Sequence, residues 1–231
     1  MFLHFGILLL LSKGIFGEVD VSEAIDGDSR IIGGQDATPG MAKWRPNVVS
    51  IVVGSHQIKS GGQRYKVKKL MPHEQFSKAT AKNDVGVIQV EGNIQFNDNV
   101  QPIELFTQTV PMGRKCLLTG WGTIDYKKNI SPNNLQMLYF ETINTNLCTQ
   151  KLNKKAAYRA ALPLNDGQLC GKRPNHKGTC QGDSGGPLVF EEGSKYTQVG
   201  IVSWGIPCGE DYPDVFASVP GNYAWIQSKI K

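Results

Sequence analysis

The strongest chemical signal in the sequence is the segment Gly-Asp-Ser-Gly-Gly-Pro at residues 182–187. Glycines on both sides of a serine let the backbone approach a substrate closely and direct its N–H groups toward one point. Ser184 is therefore a candidate nucleophile. The N–H groups of Gly182 and Ser184 are a candidate oxyanion hole, which stabilises the negative oxygen of an acyl-transfer intermediate. The alternative is an ordinary Gly-Ser turn whose serine faces solvent.

The elements that must hold this segment are predicted as short strands. Apolar or alternating runs recur between Gly, Asn and Pro turn signals, a pattern typical of a β-sandwich or barrel. The predicted strands cover residues 48–53, 65–70, 85–90, 116–119, 138–143, 188–190 and 199–204. Two helices are predicted, at 145–152 and at 222–230. We therefore expect an all-β domain with a C-terminal helix.

Composition excludes several other classes of protein. The 231 residues are 40% hydrophobic and 19% charged, with 26 glycines. These values suit a loop-rich β protein and argue against a disordered chain, a collagen or a coiled coil. No apolar run reaches the roughly 18 residues of a membrane span. The formal charge of +5 comes without a long basic block, so neither a membrane nor a nucleic acid is an expected partner.

Two N-terminal segments are expected to lie outside the fold. Residues 1–17 contain an apolar run and end at Gly17, as in a secretory signal peptide. The alternative is a buried first strand or helix. Residues 18–30 hold five acidic residues and one basic residue, which predicts a flexible leader. The remaining domain, residues 31–231, has a formal charge of +8.

Secretion would place the cysteines in an oxidising compartment, where disulfides are favoured. The chain has five of them: Cys116, Cys148, Cys170, Cys180 and Cys208. Because five is odd, one thiol must remain unpaired within the chain. No Cys-x-x-Cys pair or His-rich cluster is present, so neither a zinc site nor another metal site is expected.

Four further landmarks occur in order around the serine segment. Arg30 is followed by Ile-Ile-Gly-Gly at 31–34, and Lys-Asn-Asp-Val-Gly-Val-Ile occupies 82–88. Thr-Gly-Trp-Gly lies at 119–122 and Val-Ser-Trp-Gly at 202–205. With these motifs the sequence resembles the trypsin/chymotrypsin family of serine endopeptidases, and within it the insect chymotrypsin-like enzymes.

The resemblance implies a fold and a set of partners. The fold is two packed, six-stranded antiparallel barrels with the catalytic residues at their junction. The implied protein is a secreted, extracellular monomer, made as a zymogen and activated by a trypsin-like protease. Its partners would be protein or peptide substrates and protease inhibitors, and it would need no cofactor. Residues 1–17 would be the signal peptide, 18–30 the activation propeptide and 31–231 the peptidase domain.

The resemblance also assigns roles to individual residues. Cleavage after Arg30 would free the amine of Ile31, which would pair with the buried carboxylate of Asp183 and order the oxyanion loop. Asp84 would orient a histidine that takes the proton from Ser184. Taken alone, Asp183 could instead cap a turn, and Asp84 could be a turn residue.

A specificity pocket is implied by five residues. Gly178 corresponds to its base, Ser203, Trp204 and Gly205 to its walls, and Asp214 to its back. Without a carboxylate at the base, a large apolar or aromatic side chain is expected to fit. A carboxylate at Asp214 could admit basic side chains as well. The alternative for Asp214 is a turn residue after a proline.

The disulfide pairing is implied in the same way. The resemblance pairs Cys148 with Cys170, and Cys180 with Cys208, the second bracing the pocket. Cys116 matches a half-cystine whose partner position here is Phe190. We therefore expect Cys116 to be a buried free thiol, which packs as a small hydrophobe.

The histidine of the family is missing from its expected place. The family carries it in an Ala-Ala-His-Cys segment between the activation site and the aspartate, and no such segment occurs here. Ile31 to Asp84 spans 53 positions, about thirty fewer than the resemblance implies. The gap falls near Trp44-Arg45, so the first barrel is expected to lack two strands. The histidines that are present are His4, His56, His73 and His176.

None of these histidines is expected to replace the lost base. His4 lies in the predicted signal peptide, and His56 and His73 are expected to be solvated surface residues. Loss of the histidine of a serine protease lowers turnover on the order of a million-fold. The chain is therefore expected to be inactive as written. A skipped exon, a faulty gene model and a true pseudoenzyme all remain open.

Overall fold

The computed structural model describes residues 10–11, 50–125, 128–173, 177–193, 195–206 and 208–230. Its strands are β1 (Leu10–Leu11), β2 (Ser50–Val53), β3 (Gln63–Pro72), β4 (Gly86–Val90), β5 (Gln101–Pro102), β6 (Glu104–Leu105), β7 (Lys115–Gly120), β8 (Gln136–Ile143), β9 (Gln168–Lys172), β10 (Pro187–Glu192), β11 (Lys195–Trp204) and β12 (Asp214–Ser218). The helices are α1 (Thr145–Leu152) and α2 (Tyr223–Lys229), with short 3-10 turns at Ala156–Ala161 and Pro220–Asn222. The predicted all-β class with a C-terminal helix is confirmed.

Six strands close into a barrel in the order β10, β7, β8, β9, β12 and β11, with β11 pairing back to β10. Every pairing around the barrel is antiparallel. The two-residue strand β6 adds to β11 in parallel. Closure removes the unpaired edges that an open sheet would present.

The barrel core contains two phenylalanines that meet edge to face. Phe140 and Phe216 are 2% and 0% exposed, and their ring centroids are 5.3 Å apart. Gly171 lies between them, because a Cβ there would fall 3.0 Å from Phe140 and 3.1 Å from Phe216. Burial of such side chains supplies most of the driving force for this half of the fold.

A second, smaller sheet of three antiparallel strands, β2-β3-β4, comes before the barrel in sequence. Its core is a cluster of buried residues around Ile51, Tyr65 and Val90. Residues 12–49 lie outside the described chain, and so do the predicted activation site and the Trp44-Arg45 junction. The expectation that two strands are missing here therefore stays a prediction.

Strand β1 pairs antiparallel with β5, Leu10 opposite Pro102 and Leu11 opposite Gln101. These two residues belong to the segment that the sequence predicts as a signal peptide, and the rest of that segment lies outside the described residues. No helix in the described part of the chain is long and apolar enough to span a bilayer.

Two barrel strands, β9 and β12, were not predicted from the sequence. All five residues of β12 are buried, so the polar-apolar alternation that identifies a strand with one solvated face is absent. In β9 only Lys172 is exposed. Helix α1 has its predicted bounds and begins at Asn144, whose side chain caps the N–H groups of Asn146 and Leu147.

Candidate active site

The serine segment forms a tight turn between the Cys180 region and β10. Gly182 and Gly185 have φ angles of +95° and +86°, a left-handed conformation that glycine adopts without a steric penalty. Gly185 N donates to Val202 O over 2.9 Å, which ties the turn to β11. Ser184 is exposed at the tip. Within the described residues, neither Gly182 N nor Ser184 N donates a hydrogen bond, so both donors are open to a ligand.

Asp183 lies beneath this turn and is 8% exposed. Its carboxylate accepts hydrogen bonds from Gly122 N over 2.8 Å and from Cys180 N over 2.9 Å. Burial raises the pKa of Asp183, and these two hydrogen bonds oppose the rise. Asp183 does cap the turn, as one alternative proposed. Its predicted partner Ile31 lies outside the described residues, so that pairing stays a prediction.

The Thr-Gly-Trp-Gly motif acquires a physical role through Gly122. A Cβ at this position would lie 2.3 Å from the carboxylate of Asp183. Only glycine therefore lets the backbone N–H approach that carboxylate closely. The next residue, Thr123, donates its N–H to Gln181 O over 2.8 Å, so the motif supports the serine turn from below.

Asp84 lies two residues before β4 and bonds to a residue of the barrel. Its Oδ2 accepts a hydrogen bond of 2.6 Å from Ser203 Oγ. Ser203 occupies a register shift in β11, because Val202 pairs with Phe216 while Trp204 pairs with Val215. Such a bulge re-aims a side chain, here toward Asp84. Burial raises the pKa of Asp84, and the hydrogen bond from Ser203 opposes that rise.

The two histidines that the structure describes are engaged elsewhere. His56 is exposed, and its backbone carbonyl accepts from Leu135 N. His73 stacks on Trp225 with ring centroids 4.6 Å apart, and its Nδ1 accepts from Gln75 N over 3.1 Å. Burial lowers the pKa of His73. In this part of the chain, no histidine hydrogen-bonds to the predicted catalytic carboxylate or serine.

The residues predicted to form the pocket surround a buried ion pair. Asp214 is the first residue of β12, 1% exposed, so it is not a turn residue. Its Oδ1 accepts from Thr179 Oγ1 over 2.8 Å. Its Oδ2 lies 3.0 Å from Nη1 of Arg173. Burial raises the pKa of Asp214 to about 6, against the opposing effects of Arg173 and Thr179.

Comparison with known proteins identifies the architecture. A family model described as Trypsin matches residues 40–226. The chain belongs to the trypsin family. Its relatives include trypsin delta of Drosophila erecta, 35% identical over 77% of this chain and 67% of that protein. Chymotrypsin-2 of Vespa crabro is 34% identical over 78% of this chain and 76% of the wasp protein.

A solved structure agrees with the sequence comparison. Mouse neuropsin, described as a serine protease expressed in the limbic system of the brain, superimposes with a TM-score of 0.69. It is 28% identical, and the match covers 79% of each chain. The predicted trypsin-like fold and the predicted membership of the chymotrypsin-like serine protease family are therefore confirmed.

The disulfides of this trypsin-family chain are those expected. The structure contains Cys148–Cys170 and Cys180–Cys208. Cys116 is unpaired and fully buried in β7, directly opposite Phe190 of β10. Burial raises the pKa of its thiol to about 12. Among the described residues, no group of three or more His, Cys, Asp or Glu side chains could hold a metal ion.

Among the residues that sequence reasoning missed in this site, the most consequential is Arg173. It follows β9 in a Lys-Arg pair that looks like ordinary solvated charge, yet its side chain is 3% exposed. The guanidinium reaches the carbonyls of Tyr212 and Glu210 as well as Asp214. No local pattern distinguishes such an arginine, because its partners are supplied by a distant loop and strand.

Proposed function

We propose that this chain has the design of a secreted chymotrypsin-like serine endopeptidase with a digestive role, made as a zymogen and activated after Arg30. We further propose that the chain as written hydrolyses peptides poorly, because it lacks the general base. Ser184 would be the nucleophile, and the N–H groups of Gly182 and Ser184 would stabilise the oxyanion. Asp84 is the carboxylate that a histidine would need.

One observation carries the proposal of low activity. Asp84 Oδ2 accepts from Ser203 Oγ, and neither described histidine hydrogen-bonds to Asp84 or Ser184. A serine hydroxyl without a base is a weak nucleophile at neutral pH. The oxyanion donors and substrate binding alone leave roughly 10³–10⁴-fold acceleration over water.

A second candidate is a non-catalytic serine protease homologue that binds substrates or partner proteases. It is favoured because the serine turn and its surroundings are held in place by contacts that do not involve a histidine. The serine turn is tied to β11, Asp183 is held by two backbone N–H groups, and the Cys180–Cys208 disulfide braces the neighbouring loop. Such a site could hold an extended peptide without cleaving it.

Burst kinetics with an activated ester test the catalytic proposal directly. The secreted chain, cleaved after Arg30, would be mixed with a p-nitrophenyl ester, with Ser184→Ala as the matched control. We expect no acyl-enzyme burst from either protein, and steady-state rates that agree within about tenfold. A burst of one equivalent in the wild-type chain that is lost in Ser184→Ala would overturn the proposal of low activity.

Transcript sequencing across the Trp44-Arg45 codons separates the two candidates. An in-frame insert of about thirty codons encoding Ala-Ala-His-Cys in most transcripts would support the endopeptidase. A direct junction in an abundant, secreted product would support the non-catalytic homologue. Titration of that product with a peptide inhibitor, with no turnover detected, would then measure the affinity of its binding site.

A further inference from the structure

The guanidinium of Arg173 lies directly against Gly178, the predicted base of the substrate pocket. A Cβ placed on Gly178 would lie 2.0 Å from Arg173 Nε and 2.3 Å from Cζ. The guanidinium therefore packs directly on the backbone at the predicted pocket base. On the other side, a Cβ on Gly205 would lie 2.6 Å from Asp214 Oδ1. Arg173 thus lies against one of the two pocket glycines and Asp214 against the other.

The hydrogen bonds of Arg173 hold it there. Nη2 donates to Glu210 O over 2.8 Å, and Nη1 donates to Tyr212 O while lying 3.0 Å from Asp214 Oδ2. Among the described residues, neither Arg173 Nε nor Asp214 Oδ2 has a hydrogen-bond partner, although both atoms are buried, so the two groups are held as an ion pair and not as a bidentate hydrogen-bonded pair. A planar guanidinium is suited to this kind of multiple contact with carbonyls and a carboxylate.

From this geometry we propose that Arg173 is a specificity-determining residue, which acts as a built-in cation for Asp214 and makes the pocket shallow. The inference rests on the proposed function, in that Gly178, Gly205 and Asp214 are taken to line the substrate pocket. The carboxylate of Asp214 is already neutralised, so it does not attract an arginine or lysine side chain of a substrate. The pocket instead favours a neutral side chain of small or medium size and rejects cationic ones.

Binding of benzamidine, an aromatic cation, tests this without requiring catalysis. The full chain, Arg173→Ala, and the double variant Arg173→Ala/Asp214→Asn would be titrated by calorimetry. We expect the wild-type chain to bind benzamidine at least about tenfold more weakly than Arg173→Ala. The double variant should lose this gain in benzamidine affinity. Its pocket is open, but the Asp214 carboxylate that would attract the cation is gone. Arg159→Ala, which removes an exposed arginine, is the matched control and should behave as wild type.

Two results would overturn the proposal. One is tight benzamidine binding by the wild-type chain, and the other is a folded Arg173→Ala that binds no better. Arg173→Ala leaves the Asp214 carboxylate unpaired and could fail to fold. In that case Arg173→Ala/Asp214→Ala removes both charges. Binding of benzyl alcohol, a neutral aromatic probe, to this variant then decides the question. A gain of about tenfold over wild type supports the occupied pocket, and no gain overturns it.

These outcomes are independent of whether the chain hydrolyses peptides. Benzamidine binding reports only the contents of the pocket, and the ester burst reports only Ser184 and its base. If the chain shows no burst but Arg173→Ala binds benzamidine more tightly, the inference about Arg173 is supported. If the chain shows a burst but Arg173→Ala binds no more tightly, the inference is wrong.

Discussion

Ser203 Oγ donates a 2.6 Å hydrogen bond to Asp84 Oδ2, which joins the three-stranded sheet to the barrel across 119 residues of sequence. In the family mechanism, Asp84 is the group that would orient the histidine. A serine from a β-bulge donates to this carboxylate, which gives Asp84 a structural contact that does not depend on a histidine. The first prediction follows from that contact.

Ser203→Ala should destabilise the protein by about 1–3 kcal/mol at about pH 7, because it leaves a half-buried carboxylate with one donor fewer. Burial already raises the pKa of Asp84, and loss of the donor should raise it further. A carboxyl with a raised folded pKa binds more protons when folded, so its contribution to stability falls as pH rises above the unfolded pKa. The cost of Ser203→Ala should therefore shrink toward acid pH, as urea unfolding at several pH values would show.

A double-mutant cycle with Asp84→Asn and Ser203→Ala isolates the pair from each residue's other contacts. A coupling free energy near zero at neutral pH would contradict a stabilising role for this hydrogen bond.

Cleavage after Arg30 should raise the melting temperature, because the new amine of Ile31 would pair with Asp183, to which two backbone N–H groups donate among the described residues. Such a pairing would raise the pKa of that amine above its ordinary value of about 8. The gain should therefore be complete below about pH 8, as long as Asp183 is ionised, and be lost as pH rises through the folded pKa of the amine. Calorimetry before and after cleavage measures it.

Asp183→Asn should abolish that gain, whereas Asp98→Asn, at an exposed aspartate, should retain it. An equal rise in melting temperature in all three proteins would show that Asp183 does not receive the amine.

Gly122→Ala should destabilise the chain by about 1–3 kcal/mol or more, because the added Cβ would meet the Asp183 carboxylate at 2.3 Å. The matched control is Gly86→Ala in β4, where the nearest atom would lie at an ordinary 3.5 Å. Urea unfolding of both variants compares the two. Equal, small effects would mean that the serine turn relaxes at little cost.

One thiol per chain should react with Ellman's reagent in denaturant, and almost none in the native protein at about pH 8. Cys116 is fully buried, and burial raises its pKa to about 12, so neither access nor ionisation favours reaction in the folded state. Cys116→Ala is the control and should give no thiol in either state. Three thiols in the denatured wild-type chain would show that one of the two disulfides is absent.

Local sequence predicted an all-β domain and the residues of the serine turn, and the ordered motifs indicated the family and, through it, the barrel. The segment at 182–187 places a serine between glycines whose positive φ values the turn requires, and that information is contained in six neighbouring residues. Strands with alternating or continuous apolar runs were predicted as well, because such a run is also contained in a few neighbouring residues. The pairing of the disulfides came from the resemblance, and the structure contains both bridges.

Only the tertiary structure decided what the buried charges contact. Asp84 accepts a hydrogen bond from Ser203, and Asp214 forms an ion pair with Arg173. In both cases the partner lies far along the chain. Strand β12 escaped prediction because both of its faces are buried and its two ends, Asp214 and Ser218, are polar, so it shows neither alternation nor a long apolar run. A sequence gives charged residues without their partners. Partner and burial together set the pKa of a carboxylate, and the partner decides whether the carboxylate can still attract a ligand.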